Sequence, residues 1–157
     1  MKKRVAVVWL LVSFGFLSAA VGYADDVNSE MELLRSDVRT EKIAIITKEM
    51  NFTEPQSKAF WPVYRKYETE LAKIFDDKLA LIKDYAANYE KMNDDKAKEL
   101  LEGALEVEER TITLQRKYSV EMGTVVPAKT VTRFFQIERR INRLIDLQIS
   151  ASLPLVR

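Results

Sequence analysis

Apolar residues recur along this chain in steps of three and four and nowhere sustain an alternation in twos, a pattern that predicts helices and no strands. A first helix is expected over about Asn28 to Met50, where Met31, Leu34, Val38, Ile45 and Ile46 fall at helical spacing and Asn51 ends the run. A second is expected from Glu54 to about Met92. Its stripe passes through Phe60, Tyr64, Tyr67, Leu71 and Ile74, then shifts to Leu81, Ile82, Tyr85 and Tyr89, the seam of a helix packed lengthwise on another. Such a helix would be on the order of 55–60 Å long. Pro62 lies well inside it, lacks an N–H and crowds the carbonyl of Lys58, which predicts a bend rather than a break.

A third stripe joins Ala97, Leu100, Leu101, Ala104, Val107, Thr111, Leu114, Tyr118 and Met122. Asn93 is its expected N-cap, with Asp94 and Asp95 in the first turn where the helix dipole favours carboxylates. Gly123 is the expected stop, in the left-handed position that often follows a helix. Gly103, inside the stripe, costs about 1 kcal/mol against Ala and so points to a close approach or a local irregularity. The last helix is expected to start at Pro127 and to end before Pro154. Its apolar face carries Phe134, Ile137, Ile141, Leu144, Ile145 and Ile149, and the opposite arc carries Lys129, Arg133, Arg139, Arg140 and Arg143.

The N-terminus breaks this pattern. Lys2-Lys3-Arg4, an apolar run from Val5 to Val21 and the small-x-small triplet Gly22-Tyr23-Ala24 read as a signal peptide cleaved after Ala24, so that residues 1–24 are removed and export to the periplasm is expected. An uncleaved membrane anchor is the rival reading, because the run is near the lower length limit for a spanning helix. The absence of Cys at the cleavage site excludes a lipoprotein anchor. What remains, residues 25–157, is enough for one domain with its own core.

Composition closes several kinds of chemistry. The chain has no His and no Cys, so His- and Cys-ligated metal sites, thiol redox chemistry, Ser-His-Asp triads and disulfides are excluded. The adjacent carboxylates Asp76-Asp77 and Glu108-Glu109 point about 100° apart on a helix, so neither pair converges on a site. No enzymatic activity, cofactor or metal is expected. Charge is unevenly spread: residues 25–109 sum to −8 and residues 110–157 to +6. The basic segment is expected to meet something acidic, either the chain's own acidic half or a partner, and Arg133, Arg139, Arg140 and Arg143 are the candidate partner-binding residues. Export and a net charge of −2 after cleavage argue against nucleic acid. Contact with an anionic membrane is the weaker alternative.

The sharpest local signal is Phe52-Thr53-Glu54-Pro55-Gln56, where Thr and Gln at i and i+3 form a capping box. These positions resemble the L-T-x-x-Q motif of the Spy/CpxP-like group of small periplasmic all-helical stress proteins, with Phe52 in place of the family's Leu. Met92-Asn93-Asp94-Asp95-Lys96 resembles a second copy, keeping an apolar residue and a capping side chain but carrying Lys96 in place of Gln. The family resemblance implies a curved helical dimer that binds unfolded or partly folded proteins without ATP, or that docks on the sensor domain of an envelope-stress kinase. It implies a structural role for Phe52, Thr53, Gln56, Met92 and Asn93, and it transfers no client-binding residue. The expected fold is all-α, a single elongated four-helix domain of hairpin type with two long helices, acting as a homodimer.

Overall fold

The computed structural model describes residues 40–156, which belong to one compact unit, Thr40–Arg157. The expected signal peptide and the first-helix positions Met31, Leu34 and Val38 lie outside the described residues. Among the described residues there are four α-helices and no strand. They are α1, whose described part is residues 40–50, α2 (Glu54–Asn88), α3 (Asp94–Gly123) and α4 (Ala128–Ser152), with one turn of 3-10 helix at Tyr89–Lys91. No described helix is long and apolar enough to cross a membrane.

Local chemistry accounts for each boundary. Asn51 ends α1 with φ at 47°, the left-handed conformation that Asn tolerates better than most residues. Two residues later the Thr53 hydroxyl accepts from the Gln56 N–H at 3.4 Å, and the Thr53 N–H donates to Gln56 Oε1 at 3.1 Å, so the capping box is complete. Helix α2 then runs unbroken for 35 residues with Pro62 inside it. Its end comes earlier than the stripe suggested, because the chain tightens into the 3-10 turn after Asn88 before Met92 turns extended. Asn93 caps α3, its side chain accepting from the Lys96 N–H at 2.8 Å.

Gly123 does not act as a left-handed stop. It is the last residue of α3, and the reversal is carried by Thr124–Val126, with the Val125 and Val126 N–H groups donating to the Met122 carbonyl. Pro127 sits at the N-cap of α4, where its carbonyl accepts from the N–H groups of Thr130 and Val131.

Helices α2 and α3 are antiparallel: Glu70 pairs with Lys117, Asp77 with Arg110, and Asp84 with Lys96, each at 2.7 Å. Between these pairs Leu81 fills the space at Gly103, where an added Cβ would stand 2.7 Å from Leu81 Cδ2, which is the close approach that Gly103 signalled. Helix α4 runs alongside α2 in the same direction. Phe134 packs on Phe60 with ring centroids 5.2 Å apart, Asp146 pairs with Lys78, and the Tyr85 and Tyr89 hydroxyls donate to the carbonyls of Pro154 and Leu155.

The core sits at the end of the unit where α1, α2 and α4 meet the C-terminal half of α3. Phe60, Tyr64, Tyr67, Tyr118, Phe134 and Phe135 form a cluster of edge-on and tilted rings, closed by Ile46 and Met50 of α1 and by Met122. Phe52 lies against Phe60 at 4.6 Å and against Trp61, so its ring joins this cluster. Such ring pairs contribute about 0.5–1.5 kcal/mol each beyond the area they bury.

Candidate functional site

Helix α4 carries most of the candidate chemistry, and its two sides differ. Val131, Phe134, Phe135, Ile137 and Glu138 are buried. On the outside, Lys129, Arg133, Arg139, Arg140 and Arg143 are all exposed, and none of them pairs with a carboxylate among the described residues. Leu144, expected on the apolar face, is 65% exposed, as is Leu147. The reason is angular: at about 100° per residue Leu144 falls nearer to Arg133 and Arg140 than to the centre of the buried arc. Arg133, Arg140, Arg143, Leu144 and Leu147 thus share an outer wedge of about 100°, and Arg139 lies to one side of it.

The basic segment splits in two. Arg110 and Lys117 of α3 meet the acidic half of the same chain through Asp77 and Glu70. Among the described residues the α4 arginines do not, although the chain's own acidic half was one of their two expected partners.

Opposite the outer wedge lies a polar network that the sequence did not disclose. Glu138, 0% exposed, sits among apolar neighbours, and its Oε1 accepts from Lys42 Nζ at 2.8 Å, from the Tyr67 hydroxyl at 3.1 Å and from Asn142 Nδ2 at 3.4 Å. Lys42 is 4% exposed and also reaches Glu68 Oε2 at 3.3 Å. The other carboxylate oxygen, Glu138 Oε2, is buried with no hydrogen-bond partner among the described residues. Burial pushes the Tyr67 phenol well above its usual range, and the adjacent Glu138 carboxylate adds to the shift. The network ties α1, α2 and α4 together, buried at Lys42, Tyr67 and Glu138 and partly exposed at Glu68 and Asn142, so its visible role is to join helices.

The capping residues sit at the two helix starts. Thr53, Gln56 and Asn93 make the helix-start hydrogen bonds described above, while Phe52 is half-buried against the core and Met92 is half-buried beyond the 3-10 turn. Gln56 and Arg133, from two separate groups of candidates, line one open cavity of about 660 Å³ with Met50, Asn51 and Lys129. Arg139, Arg140 and Arg143 do not contribute to it.

A second exposed stripe lies on α3. Leu101, Leu105 and Ile112 are 60%, 56% and 53% exposed. On a wheel of about 100° per residue they fall inside the wedge bounded by Glu108 and Glu109, both exposed. No family model matches this chain, and no curated protein or solved structure matches it either.

Proposed function

We propose that this protein is an exported, ATP-independent chaperone-like or envelope-stress protein of the periplasm that binds protein surfaces. The reading joins the signal-peptide pattern to the all-α fold and to the resemblance of Phe52-Thr53-Glu54-Pro55-Gln56 to the Spy/CpxP-like motif. One observation carries it: the outer wedge of α4 interleaves exposed leucines with arginines that have no carboxylate partner among the described residues. Partly folded chains offer apolar segments and acidic side chains together, and a surface of this composition meets both without a shaped pocket.

The test is suppression of aggregation of two unrelated denatured proteins. Slowed aggregation of both, weakening as salt rises, supports the chaperone reading. Failure on both, with tight binding to a single sensor domain, replaces it with the docking-inhibitor reading. Binding to neither, with binding to anionic vesicles, replaces both with a membrane-surface role.

A further inference from the structure

The two exposed apolar stripes of this chain differ in the sign of the charge around them. On α3 the aliphatic triad Leu101, Leu105 and Ile112 lies between Glu108 and Glu109, with Lys98, which pairs with Glu102, and the exposed Arg116 one turn beyond its two ends. On α4 the pair Leu144 and Leu147 lies among Arg133, Arg140 and Arg143. Both stripes are helical, so each presents a straight ridge of side chains that another helix can lie along. Within one unit, α3 and α4 use other faces to pack: α3 buries Leu100, Val107, Leu114, Tyr118 and Met122, and α4 buries Val131, Phe134, Phe135, Ile137 and Glu138. Among the described residues nothing covers either outer ridge.

We infer that the outer face of α3 in one copy receives the outer face of α4 from a second copy, with the leucines in contact and the arginines set against Glu108 and Glu109. Charge complementarity selects this occupant. Two α4 ridges would oppose arginines with no carboxylate in their wedge, two α3 ridges would set Glu108 and Glu109 beside each other at their centres, and the mixed pairing brings the arginines to these carboxylates. Because the two patches differ, the contact closes when both copies donate and receive, and otherwise propagates head to tail. Self-docking covers the face assigned above to clients, so copies and clients compete for α4. The competition rests on α4 being the client surface; the docking does not.

Sedimentation of the purified protein without any client tests the docking. The wild type should associate at low salt and dissociate as salt rises. Arg133→Glu/Arg140→Glu/Arg143→Glu leaves both ridges acidic, and Glu108→Lys/Glu109→Lys leaves both basic, so each variant alone should sediment as a monomer. An equimolar mixture should associate again, because every contact between unlike variants is then charge-matched. The restored mixture also shows that both variants are folded. A monomeric wild type, variants that still associate alone, or a mixture that stays monomeric would each overturn the inference. An aggregation assay on the Glu108→Lys/Glu109→Lys variant keeps the two readings apart. Monomerisation with stronger client protection upholds both, and monomerisation with no protection in any form removes the chaperone reading while the docking stands.

Discussion

Lys42 Nζ lies 2.8 Å from Glu138 Oε1, an ion pair joining residues 96 positions apart inside a core that neither charge could enter alone. A buried pair of this kind adds little net stability, because desolvation offsets most of the attraction, yet breaking one half strands the other. Lys42→Met should therefore cost about 3–5 kcal/mol, while Lys42→Met combined with Glu138→Leu should recover most of that loss. Urea denaturation of the two variants checks this. A double variant as unstable as the single one would show that the pair itself holds α1 in place.

The start of α2 depends on one hydroxyl. Thr53→Ala removes the acceptor for the Gln56 N–H and should destabilise by about 0.5–2 kcal/mol, with a smaller loss for Gln56→Ala, since only the reciprocal bond goes. Denaturant midpoints that do not move for Thr53→Ala would mean that the ring of Phe52, packed on Phe60, suffices to fix this joint.

Stability should fall at both ends of the pH scale, through different groups. Burial raises the Tyr67 phenol above its ordinary value of 10.0, with Glu138 adding to the shift, and burial raises Tyr118 likewise, helped by its bond to Glu70. A phenol that holds its proton more tightly in the fold contributes stability that is complete below pH 10.0 and is lost as pH rises beyond it. Glu70 has the opposite sign. Lys117 and Tyr118 donate to its carboxylate and hold it below the ordinary 4.5, so its contribution is present above that value and is lost as pH falls through the lowered one. Urea midpoints across pH should show both limbs, the alkaline one flattened by Tyr118→Phe and the acid one by Glu70→Gln.

The arginine arc should separate binding from folding. Arg139 and Arg143 are exposed and make no ion pair among the described residues, so Arg139→Glu/Arg143→Glu should shift thermal stability by less than about 0.5 kcal/mol. The same variant should lose client protection. A lowered melting temperature would place a carboxylate partner for these arginines inside the fold, and unchanged binding would leave the arc a solvated surface.

What the sequence made legible is the set of features written in short-range chemistry. The box at Thr53 and Gln56, the cap at Asn93, the stop at Asn51 and the crowding at Gly103 each depend on neighbours within a turn or on the lack of a side chain. Tyr64 and Tyr67 were legible because their spacing repeats. Glu138 was not: a stripe is found by its apolar members, and a single carboxylate within it reads as an interruption, although at about 40° from Phe134 it falls inside the buried arc. Lys42, its partner, belongs to another helix, and no local pattern links the two. Leu144 misled in the opposite sense, since hydrophobicity alone placed it on the buried face, whereas the angle places it outside. The exposed leucines on the outer faces of α3 and α4 were hidden for a related reason, because composition does not say which of several leucines on a helix finds a neighbour.

The notch at Gly103 has a consequence for the register of α2 against α3. Charged pairs such as Glu70 with Lys117 are made by long side chains that tolerate displacement, so they set direction without fixing axial position. Leu81 favours one position. Sliding α3 by one turn would bring Glu99 or Val107 to the place of Gly103, and each would present a Cβ where the leucine now sits. The glycine works as a shallow detent, since a turn of the Leu81 side chain relieves the crowding, and it favours the register that sets the ridge of Leu101, Leu105 and Ile112 at its height on the outer side of α3.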